Sequence, residues 1–312
     1  MAAGSGLTNT STWYNANSLV LRTAFVKNVK EAPPFFTEIY NVYDPDMKRG
    51  FFTVIPFMDF GPMALKVEGQ APILVQTGEG TPTTFFFSTF GAMYIITQEA
   101  ELEDSQNITA RLPGMLAQSE RYTKENLFAG ILNFGFSSLA PIFDGQPLFS
   151  VSHQPQALPG QLQSNYLGAA ALTPETLNNA QILFNTWLSD AGNPLSRSIW
   201  RLIVHPNLLS TAEQCIGSPA KPYSSDNAKN PQFEIAEPLG YRYLSSQVAW
   251  FVISPKGPLE GDSHSMGVSF KWQNRQRTWY DDMTGNIGHK AEFRTAFGAI
   301  DWRGAVGSLG ST

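Results

Sequence analysis

Residues 114–135 read GMLAQSERYTKENLFAGILNFG, and this stretch predicts the longest helix of the chain. Its large apolar residues recur at helical spacing and form one stripe, made of Leu116, Leu127, Phe128, Ile131 and Leu132. Pro113 lies just before the stretch and Gly135 ends it, as is typical of a helix start and stop. At about 1.5 Å per residue the helix is roughly 30 Å long, so it can brace an elongated molecule. The intervening polar residues are expected on its exposed face: Gln118, Glu120, Arg121, Lys124, Glu125 and Asn126.

Upstream of this helix, residues 50–97 have the composition of β structure. Segment 51–57 is β-branched and aromatic, and the Gly-rich segment 77–82 separates the apolar runs 73–75 and 85–90. Two apolar runs around a Gly-rich turn predict a long hairpin. It has too few polar positions for either face to meet water, so it must lie on its own core or on a neighbouring subunit. The residues expected at a subunit interface on this ground are Phe51, Phe52, Ile73, Leu74, Val75, Gly78, Gly80, Phe85, Phe86, Phe87 and Phe90.

After the long helix, helical and extended patterns alternate. Thr173-Pro174-Glu175 predicts a second helix, because Thr is a favoured N-cap and Pro a favoured first helical residue. The elements expected after it are a buried strand over 198–204, a short helix over 206–215 that ends at Gly217, strands over 233–237 and 248–254, and β structure over 275–307 that rejoins an earlier layer.

Residues 1–48 are predicted to form an extended arm. Small and polar residues dominate its start, and Pro33-Pro34 forbids a helix at that point. A short helix over about 16–28 is the one regular element that the pattern allows. Because the arm lacks a periodic apolar face, we expect residues 1–45 to become ordered only in an assembly.

The composition is unusual for a free monomer. Charged residues make up 15% of the chain and aromatic residues 12%, whereas charged residues usually make up about 25% of a soluble domain. Interface cores are depleted in charge and enriched in aromatic residues, so this balance favours a chain whose surface meets other subunits. A neutral, β-rich enzyme has the same composition, and composition alone leaves both alternatives open.

The formal net charge of −5 comes without a basic stripe, which excludes an evident nucleic-acid-binding surface. No apolar run reaches the roughly 18 residues of a membrane span. Residues 1–13 lack the basic and apolar regions of a signal peptide. The sequence therefore predicts no membrane partner.

Residues that can carry chemistry are few and scattered. None of His153, His205, His264 and His289 is spaced for a metal site. The Asp262-Ser263-His264 run lies in a Gly/Pro-rich loop and matches no triad element. We therefore expect no catalytic, metal-binding or cofactor-binding residues.

An acidic cluster, made of Glu99, Glu101, Glu103 and Asp104, follows the hairpin. Paired carboxylates can hold a metal or do acid–base work. No His lies nearby, and the alternate spacing favours the solvated edge of a strand. The single cysteine, Cys215, excludes an intrachain disulfide and is expected to be a buried thiol in a helix.

Two segments resemble a known family. The first is Phe143-Asp144-Gly145-Gln146-Pro147-Leu148-Phe149-Ser150-Val151-Ser152-His153. It is similar to the Asp-Gly-x-x-Leu/Phe-Phe-Ser-x-x-His segment of major head subunits in the Mu-like family of tailed phages. The second, residues 293–304, is similar to that family's closing Arg/aromatic run, which ends near Asp-x-Arg-Gly. The order of hairpin, acidic stretch, long helix and Asp-Gly…His segment also agrees. The sequence departs at Gln154-Pro155-Gln156, where the family often has Pro and Asn straight after the His.

The resemblance implies the α+β fold of tailed-phage major capsid proteins, the Hong Kong 97-type fold. Its parts map onto an N-terminal arm (1–48), an extended hairpin loop (49–97), a peripheral domain with a long spine helix (98–150 and 271–312) and an axial domain (151–270). In that setting His153 is structural, as a buried and hydrogen-bonded His after a turn ordinarily is.

The function that the resemblance implies is that of a shell subunit. Copies of the chain are expected to form pentamers and hexamers of an icosahedral capsid around double-stranded DNA, without sequence-specific binding. Scaffold, portal and decoration proteins are the further partners implied, with assembly in the host cytoplasm and a final location in the virion. The alternatives are a β-rich hydrolase with an unrecognised site and a phage tail or decoration protein.

Overall fold

The computed structural model describes residues 34–43, 49–54, 60–61, 63–66, 68–72, 74, 82–105, 108–155, 160–195, 197–222, 228–255 and 266–311, together with Thr23, Phe25 and Val26. The helices of this part are α1 (Phe36–Ile39), α2 (Gln98–Leu102), α3 (Leu112–Asn133), α4 (Pro174–Thr186) and α5 (Leu209–Gly217), with 3-10 turns at Thr109–Arg111 and Pro206–Leu208. The strands are β1 (Asn41–Tyr43), β2 (Phe51–Val54), β3 (Thr83–Phe86), β4 (Ser88–Ile96), β5 (Arg201–Val204), β6 (Glu237–Gly240), β7 (Trp250–Ile253), β8 (Met266–Tyr280), β9 (Ile287–Ala299) and β10 (Ala305–Ser308).

The described residues form two four-stranded sheets and one separate hairpin. The first sheet has the order β1-β8-β9-β4, the second β10-β7-β5-β6, and β2 pairs with β3 alone. The expectation that the C-terminal β structure rejoins an earlier layer is confirmed, because β9 pairs with β4 and β10 with β7. The mixed α+β class is thereby confirmed.

The long helix predicted at 114–135 is confirmed as α3, which packs across the first sheet. Phe128 is fully buried and meets Phe270 and Phe297 edge-on, with ring centroids 5.8 and 5.3 Å apart. Leu116 and Leu132 are buried as the stripe predicts, whereas Leu127 and Ile131 are only partly buried.

The polar face predicted for this helix is wrong at three positions, since Glu120, Lys124 and Glu125 are buried. Lys124 forms an ion pair with Glu120 and donates to the backbone carbonyl of Gln273 over 2.9 Å. Its ammonium also lies 4.9 Å from the ring centroid of Phe293. Charged side chains are tolerated in a core when they are paired and hydrogen-bonded, as these are.

Helices α4 and α5 cover the second sheet. Thr173 caps α4 as predicted, accepting a hydrogen bond from the backbone N–H of Thr176. Cys215 on α5 is fully buried, as predicted. The strand predicted at 233–237 is wrong, because it begins at Glu237. The preceding residues form a turn in which the buried Asn230 amide donates to the carbonyls of Cys215 and Ser218, over 2.8 Å each.

Part of the predicted arm belongs to the core. Helix α1 and strand β1 lie within residues 34–43, and Phe36, Ile39 and Tyr40 are buried there. The hydroxyl of Tyr40 donates to the carbonyl of Phe128 over 2.6 Å. Residues 1–22, 24, 27–33 and 44–48 lie outside the described residues, and for them the extended arm stays a prediction.

The sequence allows a short helix over about 16–28. The described residues of this range, Thr23, Phe25 and Val26, are helical. The Phe25 side chain is fully buried in a small cluster with Leu116 and Ala117 of α3 and with Ala291 of β9. Strand β10, which was assigned to the peripheral segment 271–312, is hydrogen-bonded into the sheet formed by residues of the predicted axial domain. The chain thus crosses between the two sheets near residue 300.

Candidate functional site

The hairpin of β2 and β3 is a short antiparallel ladder. The predicted partner of the run 85–90 is wrong, because its first residues pair with β2 and residues 88–90 pair with β9, and not with the run 73–75. Phe51 pairs with Phe86 and Phe52 with Phe85. Because side chains of a strand alternate between its two faces, this register puts Phe52 and Phe85 on one face and Phe51 and Phe86 on the other.

The inner face of the hairpin lies on its own subunit. The ring of Phe52 stacks on that of Phe85, with centroids 6.2 Å apart, and approaches Tyr43 of β1 at 5.2 Å. The Phe85 ring lies so close to Gly298 that a Cβ at that glycine would fall 1.9 Å from it. A glycine at 298 therefore lets the hairpin lie flat on the first sheet.

The outer face of the hairpin is exposed. Phe86 is 76% exposed and Phe51 is 38% exposed. The loop between the two strands adds Met63, Leu65 and Leu74, which are 96%, 92% and 85% exposed. Ile73, Val75, Gly78 and Gly80, also predicted at an interface, lie outside the described residues.

Besides Phe52 and Phe85, two further predicted interface rings are used within the subunit. Phe87 is buried, and the ammonium of Lys271 lies 5.4 Å from its ring centroid. Phe90 on β4 stacks on Phe293 of β9 at 5.3 Å. The outer face of the hairpin, defined here as Phe51 and Phe86, and the exposed Leu74 of its loop are therefore the described residues that fit the interface prediction.

The two motif segments meet in a buried junction. His153 is fully buried, and its Nδ1 lies 2.6 Å from a carboxylate oxygen of Asp144. The imidazole stacks on the indole of Trp302 with ring centroids 4.7 Å apart and an interplanar angle of 4°. The interpretation of His153 as a buried, hydrogen-bonded residue is confirmed. The sequence did not predict that the second segment would cover it.

Asn165 is the hub of this junction. Its side-chain nitrogen donates to the carbonyls of Leu148, Trp302 and Ala305, over 2.7, 3.2 and 3.1 Å. Its oxygen accepts from the Ser150 backbone N–H and from Nε2 of His153, at 2.9 and 3.1 Å. The three carbonyls assign the amide orientation, and this in turn assigns a hydrogen to Nε2 of His153.

Arg303 extends the junction to the loop after α4. Its guanidinium forms an ion pair with Asp190 at 2.7 Å, and a second carboxylate, Asp301, lies at 3.8 Å. Burial by itself lowers the pKa of Arg303, but the carboxylates of Asp301 and Asp190 outweigh it and raise that pKa. The closing segment is thus held against the loop after α4 by charge and against the first motif segment by packing.

A second buried polar group joins the start of the described chain to the long helix. Glu125 accepts hydrogen bonds from the backbone N–H groups of Phe35 and Phe36, at 2.6 and 3.4 Å, and from the Tyr241 hydroxyl at 3.0 Å. Burial raises the pKa of Glu125, and these hydrogen bonds oppose that rise. One carboxylate therefore connects α1, α3 and the segment after β6.

The acidic cluster has a structural role in part. Glu99 and Glu101 lie on the short helix α2, so the expected strand edge is wrong. Asp104 caps the following turn by accepting from the backbone N–H groups of Ile108 and Thr109, at 2.9 and 2.8 Å. Within the described part of the chain, no group of three His, Cys, Asp or Glu side chains is placed to hold a metal. Asp262 and His264 lie outside that part.

Comparison with known proteins gives the class of the fold. The structure is similar to a subunit of the cyanophage P-SCSP1u capsid, with a TM-score of 0.61 and 8% identity over 90% of this chain and 89% of that one. A structure from Mycobacterium phage Patience matches with a TM-score of 0.54 and 10% identity, over 97% and 88% of the two chains. The JBD30 capsid decorated with minor capsid protein trimers matches with a TM-score of 0.52 and 15% identity, over 68% and 91%. The fold is therefore of the Hong Kong 97 type, as predicted.

The family follows from the sequence itself. The model of the phage capsid protein family matches residues 80–308, so the chain belongs to that family. It is a structural capsid subunit. The Mu-like subfamily stays a prediction. No curated protein sequence matches the chain. Among the described residues, no helix combines the length and the apolar character needed to cross a membrane.

Proposed function

We propose that this capsid subunit self-assembles through pentamers and hexamers into an icosahedral shell that encloses double-stranded DNA. The observation that carries the proposal is the outer face of the hairpin, where Phe86 is 76% exposed beside Phe51. Met63 and Leu65, in the loop that joins the two strands, are almost fully exposed as well. Large apolar side chains grouped on one surface are typical of a protein interaction site.

The outer face of the hairpin packs on the body of an adjacent copy. Such a contact joins two different surfaces, and contacts of this kind close into rings when the rotation between copies fits. Rings of five and six copies can tile a closed shell. The formal net charge of −5 suits a container that encloses DNA without gripping it, because nonspecific DNA binding depends on cationic side chains.

The role is structural and not enzymatic, and the chain uses no cofactor. Its partners are copies of itself, with scaffold, portal and decoration proteins at particular positions of the shell. The decoration of the JBD30 capsid with minor capsid protein trimers supports the last of these. Assembly takes place in the host cytoplasm and the product is the virion capsid.

Negative-stain microscopy of the purified chain tests the proposal directly. We expect shells or rings from the unmodified chain, and none from Phe86→Asp, because the substitution places a carboxylate in an apolar contact without a partner. Leu139→Asp is the matched control, since Leu139 is 92% exposed outside the hairpin. The proposal is contradicted if the unmodified chain stays a uniform monomer under all assembly conditions.

A further inference from the structure

One face of the first sheet carries an excess of positive charge. In the antiparallel register of β8 and β9, Trp272 lies opposite Arg294, Arg275 opposite Glu292, and Arg277 opposite Lys290. Directly opposite residues share a face of the sheet, and residues two apart on a strand do so as well. Trp272, Arg275, Arg277, Lys290, Glu292 and Arg294 therefore form one surface, named here the basic face.

The opposite face of the same strands is committed to the core. Phe293 is buried with residues of α3 in the main core, and Ala291 is buried against Leu116 and Ala117. The basic face consequently points away from the long helix. Arg275 and Arg277 on it are exposed, and Lys290 and Arg294 are half-buried.

The charges of the basic face are unbalanced within the subunit. Lys290 is paired with Glu292 at 2.8 Å. Arg275 and Arg294 flank the indole of Trp272, each with its guanidinium carbon 5.6 Å from the ring. Within the described ranges, no carboxylate lies within salt-bridge distance of Arg275, Arg277 or Arg294. Like charges directly opposite in a sheet, such as Arg277 and Lys290, are unfavourable unless an anion offsets them.

The same chain carries the complementary surface. Glu99, Glu101 and Glu103 lie on or next to α2, and residues 97–110 contain no Lys or Arg. Glu99 and Glu103 are exposed, and beside them Leu102 is 80% exposed. Guanidinium groups pair with carboxylates in a planar, two-pronged geometry, which makes a glutamate-bearing helix a suitable ligand for exposed arginines.

From this charge complementarity we infer that the basic face of one subunit binds helix α2 of a neighbouring copy. The inference rests on the proposed assembly and gives it a second, electrostatic contact. The contact joins two different surfaces, so it can repeat from copy to copy around a ring or between rings. A second copy suits the basic face better than nucleic acid does, because the acidic α2 and the net charge of −5 repel a polyanion.

Charge reversal on each side and on both sides tests the contact. The first variant combines Arg275→Glu with Arg277→Glu, the second combines Glu99→Lys with Glu103→Lys, and the third carries all four changes. Like charges across a contact cost several kcal/mol, so each of the first two variants should yield at least about tenfold fewer shells. The third should recover assembly, because its two surfaces are complementary again.

The control reverses Lys221 and Lys229 to Glu, which changes the net charge as the first variant does and leaves the basic face intact. Circular dichroism and thermal unfolding of unassembled subunits must match for all variants. The inference is overturned if both variants that change one surface assemble like the unmodified chain. It is also overturned if the variant with all four changes does not recover assembly. Either result leaves the proposed function standing. Loss of DNA retention alone from the first variant would assign the face to nucleic acid and also overturn it. If the unmodified chain makes no assembly, the proposed function itself fails.

Discussion

The hairpin and the buried junction place polar and apolar groups in opposite ways. In the hairpin, Phe86 is 76% exposed and Thr53 bonds to Thr84 across the ladder at 3.0 Å. In the junction, His153 and Asn165 are fully buried and surrounded by carbonyls, a carboxylate and an indole. One region exposes what a monomer usually hides, and the other hides what a monomer usually exposes.

This contrast separates two tasks of a shell subunit. A buried polar network with many internal hydrogen bonds favours one internal arrangement, because any other arrangement leaves more of its groups without partners. An exposed apolar surface does not stabilise the fold of the free subunit. It contributes favourable free energy only when another molecule covers it. Substitutions in the junction should therefore affect folding, and substitutions on the outer face of the hairpin should affect assembly.

The largest effect is expected from Asn165→Leu. Leucine has a similar size but leaves the carbonyls of Leu148 and Ala305, the Ser150 N–H and the His153 Nε2–H without a partner, whereas the Trp302 carbonyl keeps its bond from the Ala305 N–H. Each buried group left unsatisfied costs about 1–3 kcal/mol, so the free energy of unfolding should fall by at least about 4 kcal/mol. Urea unfolding of the subunit measures this loss. It is a large part of the free energy of unfolding of an ordinary domain, which is about 5–15 kcal/mol.

The control for this prediction is Asn207→Leu. Among the described residues, the Asn207 side chain bonds to Gln247 alone, at an exposed position, so the change should stay within about 0.5 kcal/mol. Equal urea midpoints for Asn165→Leu and the unmodified chain would mean that the junction does not stabilise the fold.

An intermediate, pH-dependent effect is expected from Glu125→Gln. Burial raises the pKa of Glu125 above its usual value of 4.5, so between these two values the folded state binds more protons than the unfolded state. Stability from this group is then fully present below the usual pKa and is lost as the pH rises through the raised one. Glutamine cannot titrate, so the stability of the unmodified chain relative to Glu125→Gln should fall with rising pH.

The charged and titratable neighbours of Glu125 do not reverse this sign. Burial raises the pKa of Tyr40 and of Tyr241, so both hydroxyls stay protonated over the pH range of the experiment. Arg121 lowers the pKa of Glu125, but less than burial raises it. Denaturant titrations of both chains between about pH 4 and pH 8 measure the difference. A difference that grows with pH would show that the hydrogen bonds from Phe35 and Phe36 outweigh burial.

Regular periodicity made much of the fold predictable from the sequence. The stripe of Leu116, Phe128 and Leu132 located α3, and the Thr173-Pro174 pair located the start of α4. These signals are local, since spacing and capping act within one or two turns. The β structure of the C-terminal region was also predicted, although its division between two sheets depends on distant partners.

The parts that escaped prediction depend on contacts between distant residues. Glu125 follows Lys124 in a polar run and was expected in solvent, because nothing local shows that Phe35, Phe36 and Tyr241 will surround it. Asn165 carries no motif, and its importance comes from three carbonyls up to 140 positions away. A buried polar residue is recognisable only from its partners, and these come from the tertiary fold.

The smallest effect on stability is expected within the hairpin itself, where Phe85 and Phe86 are adjacent but face opposite ways. Phe85→Ala removes a half-buried ring from Gly298 and Phe52 and should cost about 1–2 kcal/mol, less than the 3–5 kcal/mol of a fully buried Phe. Phe86→Ala removes an exposed ring and should change the free energy of unfolding by less than about 0.5 kcal/mol.

The measurement is thermal unfolding of subunits kept below their assembly concentration, with microscopy of the same samples after concentration. We expect the order to invert between the two readouts, since the Phe86 variant should unfold like the unmodified chain and assemble worse than the Phe85 variant. If the two variants rank the same way in both experiments, stability alone governs assembly and the division of the hairpin into an inner and an outer face has no functional meaning.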